Sequence, residues 1–309
     1  LCQNIDWEEG VFGHNKRGKC AFLRDDDLCD MYIHMGEDSL CTTCREYPRH
    51  TEEFENLREI TLSLSCPEVA KIVMNTTEPI TFVTKEDETD ECYEEFDYFL
   101  FSELEDVREE MIRIIQDRNV NIRDRIDKIL QISVSVQRHY DAGSLISWNE
   151  FEQSDRVCVE NEYELFERLF LFLFEEFEIL YPQWAEVLVE SRLFLFGEGK
   201  KVFEQNKEEF ETWWNTSNLT PLDIVLEQLV VYFISVYLLG AVYDENILGK
   251  VDACIGHTIE IYLLLLGRWL KHGELAMDDV IEVVYRYSRE IEHSDENLER
   301  AEMLNWFAR

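Results

Sequence analysis

The chain has 309 residues, with 66 acidic and 29 basic side chains and a formal net charge of −37. Hydrophobic residues make up 46% and aromatics 13%, enough apolar surface for a core, which excludes a disordered chain. The charge argues against nucleic acid as a general partner, because phosphates are bound by Lys and Arg that displace counterions, and it argues against an anionic membrane surface for the same reason. At roughly 100–200 residues per domain, one large domain or two smaller ones fit. The first residue is Leu1 rather than Met, and the chain is read as a fragment, a processed form or the ordered part of something longer.

The expected fold class is mainly α, a small cysteine-rich metal-binding module followed by an all-α multi-helix bundle. The module is placed at residues 1–95, which hold seven of the nine cysteines and three of the five prolines. Within it, Ile60 to Ser65 alternates as a strand does. Ser65-Cys66-Pro67-Glu68 reads as a helix start with proline at the first position, running on through Val69 to Met74. Ile80 to Val83 reads as another short strand. The acidic stretch Lys85 to Glu95 is the expected join.

From residue 96 to 309 the pattern is helical, with about eight to nine helices expected. Leu100, Leu104, Val107, Met111, Ile114 and Ile115 recur at helical spacing. Ile122, Ile126, Ile129, Leu130 and Ser133 continue in a second helix, entered at Asn119 or Asn121. Leu165, Leu169, Phe170, Leu173, Phe177 and Leu180 form a third, which Pro182 is expected to end. Residues 183–196 and 200–214 follow, parted by Gly197 and Gly199. Thr220-Pro221-Leu222-Asp223 predicts the next start, with Thr220 as cap and Pro221 first. The helix it opens contains Leu229 to Tyr243, almost wholly apolar but 15 residues long, short of the ~20 that cross a bilayer, and flanked by Glu227, Asp244 and Glu245. It is read as the central helix of a soluble bundle, with no membrane partner. Residues 247–271 end at Gly273, residues 278–292 and 295–307 complete the chain, and Ser294 caps the last helix. No G-x-G-x-x-G or G-x-x-x-x-G-K-[ST] occurs, so a glycine-loop nucleotide site is not expected. Nor is there a G-x-S-x-G or an H-E-x-x-H, and paired carboxylates carry no weight in so acidic a chain.

The cysteines are Cys2, Cys20, Cys29, Cys41, Cys44, Cys66, Cys92, Cys158 and Cys254. An odd count in a long chain does not fit a secreted disulfide framework. The sequons at Asn75, Asn215 and Asn218 are then chance matches. Cys20, Cys29 and the Cys41/Cys44 doublet supply four thiolates, enough for a tetrahedral zinc or an iron–sulfur cluster. The alternative is a set of buried reduced thiols that act as small hydrophobes. Cys66 stands where a helix N-terminus would favour the thiolate, or is simply a cap-position residue. Cys254 and His257, on a long apolar helix, are read as interior. His14, His34 and His50 flank the cysteines and are candidate ligands, with the plain surface reading favoured for each.

The order of short motifs is specific: Lys19-Cys20-Ala21-Phe22-Leu23, Leu28-Cys29, Gly36-Glu37, then Leu40-Cys41-Thr42-Thr43-Cys44-Arg45-Glu46-Tyr47-Pro48-Arg49, then Leu62-Ser63-Leu64-Ser65-Cys66-Pro67-Glu68. It resembles the flagellin lysine-N-methylases, within a wider group of cysteine-motif proteins taken to chelate iron or zinc. The likeness covers about residues 1–75, with the remainder similar in texture. The resemblance implies a cytoplasmic bacterial enzyme that moves a methyl group from S-adenosylmethionine to lysines of flagellin. It implies a cysteine-bound metal centre, a [4Fe–4S] cluster or alternatively zinc. Cys20, Cys29, Cys41 and Cys44 match the family's downstream cysteines, and Cys66 matches the one before Pro-Glu. The family carries a further C-x2-C-x3-CC motif upstream of the part seen in this chain.

Tyr47 and Arg49, directly after the doublet, are candidates to meet the cofactor's carboxylate or the substrate, or they shape the turn. The C-x3-C-x2-C radical signature is absent. The rival reading is a zinc- or iron-stabilised interaction module with no enzymatic activity. A thiol redox sensor is weaker, since no resolving pair stands out beyond Cys41 and Cys44.

Overall fold

The structure is a computed structural model that describes residues 5–6, 11–13, 19–26, 28–55, 57–85, 96–144, 161–303 and 306–307. Cys2, His14, Cys92, Cys158 and most of the acidic join lie outside the described residues. The chain divides into two compact units, Leu1–His50 and Thr51–Arg309.

In the first unit, strands β1 (Ile5–Asp6) and β2 (Val11–Phe12) pair antiparallel, with Ile5 opposite Phe12. Phe12 meets the buried Phe22 edge to face, with ring centres 5.1 Å apart. Two short helices follow, α1 (Asp30–Met35) and α2 (Thr42–Glu46), joined by a 3-10 turn at Glu37–Ser39. Gly36 makes the turn between them at φ 81, a left-handed conformation that favours glycine.

The chain passes into the second unit along strand β3 (Arg49–Phe54), which forms a hairpin with β4 (Leu57–Leu62). Helix α3 (Pro67–Asn75) follows and packs on later helices of the same unit. The described residues between Thr51 and Lys85, which the sequence groups with the cysteine module, thus fall in the same compact unit as the helices. Ile80–Val83 forms no strand. At its start, Gln116 Nε2 donates to the Ile80 carbonyl at 3.0 Å.

The rest of the second unit is helical: α4 (Tyr98–Ile115), α5 (Ile122–Asp141), α6 (Glu162–Glu175), α7 (Pro182–Phe196), α8 (Lys200–Thr216), α9 (Leu222–Tyr237), α10 (Ala241–Asp244), α11 (Ile247–His272), α12 (Met277–Ile291) and α13 (Asp295–Glu302). The mainly α expectation holds. The added helix relative to the expected number is the four-residue α10, which the apolar run hides. Asn121 caps α5 by accepting from the Arg123 N–H at 2.8 Å, and Ser294 caps α13 at the Asn297 N–H.

Three helix ends differ from expectation, each for a tertiary reason. Helix α6 stops at Glu175, and Pro182 opens α7 rather than ending α6. The amides between them bond to other helices: Glu178 N–H to Asn297 Oδ1 at 2.7 Å, and Leu180 N–H to Glu290 at 2.8 Å. Thr220 does not cap α9, because its hydroxyl donates to the Met74 carbonyl at 2.8 Å, and Pro221 takes the cap position. Helix α13 ends at Glu302 because Asp252, on α11, accepts the backbone N–H groups of Trp306 and Phe307.

Helix α11 is the axis of the body and meets α5, α6, α7, α9, α12 and α13. Cys254 and His257 are interior on it, as expected. The stretches Leu222–Asp244 and Ile247–His272 are each long and apolar enough to cross a bilayer by length and composition, more than the 15-residue estimate allowed; yet 78% of each apolar window is buried inside the protein. That is the signature of core helices.

Inside this apolar core, α9 carries Glu227 with no exposed surface. Arg118 Nη2 reaches it at 2.7 Å and Arg125 Nη1 at 2.8 Å, and Arg125 also donates to the Ile115 carbonyl. The neighbouring Gln228 donates to the carbonyls of Thr76 and Glu78 at 3.1 and 3.0 Å. Removing one side of such a buried pair leaves an uncompensated charge. Glu227→Ala is expected to cost about 3–5 kcal/mol in urea unfolding; a loss below about 1 kcal/mol, the size of an exposed pair, would refute this account of the core.

Candidate metal centre and the turn that carries Cys66

The local fold of the first unit sets where its cysteines stand. Cys29 bridges antiparallel to Leu23 and is the cap residue of α1, its carbonyl taking the Ile33 N–H at 3.0 Å. Cys41 caps α2 in the same way, its carbonyl taking the Arg45 N–H at 3.1 Å, and Cys44 sits one turn on. All four thiols, Cys20, Cys29, Cys41 and Cys44, are free rather than in disulfides.

The electrostatics show that they share one locality. Burial pushes the Cys44 thiol up to about 11, the hydrogen bond to Cys41 adds to the shift, and the charges of Cys41, Cys20 and Cys29 add to it further. Cys41 is lowered, chiefly by the backbone N–H of Cys44. Cys41 is therefore the more acidic thiol of the doublet and Cys44 the less acidic. The gathering stops short of a ligand set: among the described residues no three Cys, His, Asp or Glu side chains are grouped so that they could hold a metal ion. The donor chemistry fits a thiophilic ion, but the geometry is not drawn in around one.

Among the described residues, the histidines do not complete the set. His34 lies along α1 with its Nε2 3.7 Å from Asp30. Tyr47 is exposed, and Arg49 Nη1 donates to the Arg45 carbonyl at 3.1 Å, holding its guanidinium against the end of α2.

Cys66 belongs to the second unit, as the N-cap of α3, with Pro67 at the first helical position as expected. Its side chain makes no capping hydrogen bond. The turn that carries it, Ser63 to Cys66, is gripped from beneath by α9 and α12. The Leu64 N–H donates to Tyr232 Oη at 3.2 Å, and Tyr232 Oη donates to Glu292 Oε2 at 2.6 Å. Tyr237 Oη reaches the same oxygen at 3.1 Å, and Ser288 Oγ bonds the other carboxylate oxygen. Arg289 Nε donates to the Ser65 carbonyl at 2.9 Å, and His293 Nε2 meets Ser65 Oγ at 3.1 Å. Burial, and then the Glu292 charge, push both tyrosines well above the ordinary range, so they stay protonated as donors.

Deeper in the core, His257 Nδ1 lies 2.6 Å from Tyr287 Oη, which in turn donates to Glu260. His257 is thus the satisfied interior residue the sequence implies. A crevice beside it, lined by Phe172, Phe177, Gly256 and Trp306, has no room for a water molecule. Sequence reasoning missed the Tyr232–Glu292–Arg289 grip. A Tyr or Glu on an amphipathic helix carries no mark of its partner, and these partners lie more than 160 positions from the turn in the first case and more than 220 in the last.

A mainly helical body that clasps a cysteine-bearing turn, and a separate unit of gathered thiols, define a cysteine-motif protein of mainly α fold. Residues 108–307 match the family described as the FliB lysine N-methylase C-terminal domain, and the chain belongs to that family. Among curated proteins it is similar to the flagellar biosynthetic protein FliU of Salmonella muenchen, 36% identical over 58 residues, 19% of this chain and 34% of that protein. It is also similar to the lysine-N-methylases of Salmonella typhimurium and Salmonella choleraesuis, 36% identical over 58 residues, 19% of this chain and 14% of theirs. The matched stretch thus spans between 14% and 34% of the length of these curated relatives. No solved structure matches it.

Two measurements check this account. Tyr232→Phe leaves the Leu64 N–H and Glu292 without their buried partner and is expected to cost about 1–3 kcal/mol, read by denaturant melts with helix content unchanged. Glu290, which accepts the Leu180 and Tyr181 amides, is raised from 4.5 to about 7, mainly by burial. A carboxyl raised in the folded state stabilises while protonated and loses that contribution as pH climbs through its folded value. Stability is therefore expected to fall between about pH 4.5 and 7, and less steeply in Glu290→Gln; an identical slope in the variant would refute the assignment.

Proposed function

We propose that the protein this chain represents transfers methyl groups from S-adenosylmethionine to lysine side chains of flagellin, in the cytoplasm before subunits are exported. The observation that carries the reading is the family match across residues 108–307. The motif order from Lys19 to Glu68 and the names of the Salmonella relatives point the same way.

The chemistry asked of the protein is simple to state. A lysine ammonium, with an ordinary pKa near ~10.4, must first give its proton to a base or to water. The freed Nζ lone pair then attacks the sulfonium methyl carbon. The carbon–sulfur bond breaks, its electrons stay on sulfur, and S-adenosylhomocysteine leaves as a neutral thioether. A strongly negative surface draws a lysine-bearing substrate and a sulfonium donor alike. Tyr47 and Arg49 are the candidates for meeting the cofactor's carboxylate.

The metal centre is part of this reading. Cys20, Cys29, Cys41 and Cys44 would hold the ion, as a [4Fe–4S] cluster or alternatively zinc, with Cys66 a further candidate ligand. A bound cluster would supply a Lewis-acidic iron or an electron. No step above depends on it. The domain assignment that goes with it is a cysteine module ahead of an all-α body.

Full-length protein incubated with flagellin and a labelled methyl donor is expected to leave flagellin lysines heavier by one methyl group. Anaerobically purified protein is expected to hold about four irons with matching sulfide if a cluster is present, or about one zinc if the site is structural. Cys41→Ser and Cys44→Ser are expected to lose most of that metal. Flagellin left untouched, with about one zinc bound, would replace the enzyme by a metal-stabilised interaction module.

A further inference from the structure

At the start of α4 a group of aromatic rings reaches from the core to the surface. Phe96 lies just before the helix, Tyr98 opens it and Phe101 is one turn on, while Phe54 ends β3 and Tyr243 lies on α10. The Phe96 ring centre is 5.2 Å from Tyr98, 5.2 Å from Phe101 and 6.2 Å from Tyr243. Phe54 stands 5.1 Å from Phe101 and 6.0 Å from Tyr243. Phe54 and Phe101 are buried and anchor the group in the core. Tyr98 and Tyr243, by contrast, are 53% and 64% exposed. Tyr243 is also held: its ring lies at 16° to Phe54, and its Oη donates to the Glu53 carbonyl at 3.3 Å. One face is packed on Phe54 and the rest of the ring is open to solvent. A ring fixed in this way has already lost the rotamer freedom that binding removes.

The charge around these rings is of one sign. Burial raises Tyr243 first, and the charges of Glu52 and Glu55 raise it further. Tyr140, at the end of α5, is raised by burial, then by its bond to Glu245 and by the charges of Glu245, Asp97 and Asp141. Asp97 stands between Phe96 and Tyr98 and caps α4 at the Leu100 N–H, 2.9 Å away; Glu245 follows Tyr243 by two residues. The nearby bases are already paired: Arg58 lies 2.6 Å from Glu53, and Lys250 meets Asp244 at 2.8 Å and Glu302 at 2.7 Å. Among the described residues, the cations that do stand over rings, such as Arg168 over Trp306 and Arg289 over Tyr285, are elsewhere. An aromatic face is the negative part of the ring, so open faces amid acids attract a cation.

We propose that Tyr98 and Tyr243 form a docking surface for a methylated lysine side chain on a protein partner. A methylated ammonium suits open ring faces better than a bare one. Each methyl group replaces an N–H that water would solvate, and adds apolar surface for a ring to cover. The exposed acids Asp97 and Glu245 draw the cation in from the margin. The choice of methylated lysine rests on the functional reading above, in which that side chain is the product. Through this surface the protein stays with flagellin that already carries a methyl group while further lysines react.

The test follows the N-methyl proton signal of a short glycine- and serine-flanked peptide bearing one trimethyl-lysine as the full chain is added. The same peptide with monomethyl-lysine, and with unmodified lysine, is read by competition. A saturable upfield shift is expected, because the methyl protons enter the ring currents. Affinity is expected to fall from trimethyl to monomethyl to unmodified lysine, the last about three-fold or more below the first. Tyr98→Ala and Tyr243→Ala are each expected to weaken binding about two- to five-fold, the size of one exposed cation–ring contact. Tyr243→Phe, which keeps the ring face, and Tyr181→Ala, an exposed ring at the start of α7, are expected to bind as the parent does. If an alanine variant does not fold, Glu245→Lys, on the exposed margin, is expected to weaken binding at least as much. Equal affinity for methylated and unmodified peptides, unchanged affinity in folded ring variants, or no shift at all would overturn the proposal. So would tighter binding of choline than of the trimethyl peptide, which would assign the rings to a small free cation. Methyl transfer to flagellin separates the two readings. If full-length protein methylates flagellin while no methylated peptide binds, the docking surface falls and the function stands. If the peptide binds and flagellin is untouched, the function falls and the docking surface stands.

Discussion

A carboxylate with no exposed surface, in the middle of an apolar helix, is the constraint on which the helical body depends. Glu227 draws Arg118 and Arg125 into the core, and these two arginines belong to the link between α4 and α5 and to the first turns of α5. Arg118 also donates to the Thr77 carbonyl at 2.7 Å, while Gln228 takes the carbonyls of Thr76 and Glu78. One short stretch of α9 thereby ties together α3's exit, the α4–α5 corner and the core. A buried ion pair is a poor source of net stability compared with apolar packing. Its effect here is to set position: α9 cannot shift along its axis without stranding charge.

The same logic explains how two helices apolar enough for a bilayer serve as a protein core. Helix α11 buries acids and bases at intervals. Lys250 is paired with Asp244 at 2.8 Å and Glu302 at 2.7 Å, Asp252 receives two backbone amides, and Glu260 receives Tyr287. Each polar group is matched by a partner from another element, so the apolar surface between them packs against specific neighbours.

Much of this was legible in the sequence. The 3.6-residue period placed α4, α5, α8 and α11, glycine at positive φ ended α11 at Gly273 and opened α8 at Gly199, and Pro67 marked the start of α3. What periodicity could not show was competition for backbone amides. Phe177 and Leu180 continue the spacing of α6, yet Asn297 and Glu290 capture the amides that the helix would need. Thr220 has the right chemistry for a cap and a better partner in Met74. At the candidate site, the C-x2-C spacing puts both sulfurs of the doublet on one turn, but helix α2 itself was not expected from the motif. The mutual influence of Cys20, Cys29 and Cys41 on Cys44 required the chain to be folded, because the intervening residues carry no helical or strand repeat from which distances could be reckoned.

The carboxylate of Glu292 accepts from Tyr232, Tyr237 and Ser288 at once, and Tyr232 also takes the amide of Leu64. Three hydroxyls from two helices meeting on one acid act as a gear tooth. The bonds run without a break from the end of α12, through Glu292 and Tyr232, to the backbone at Leu64, two residues before Cys66, so the position of the thiol at the head of α3 is set by the register of α12 against α9.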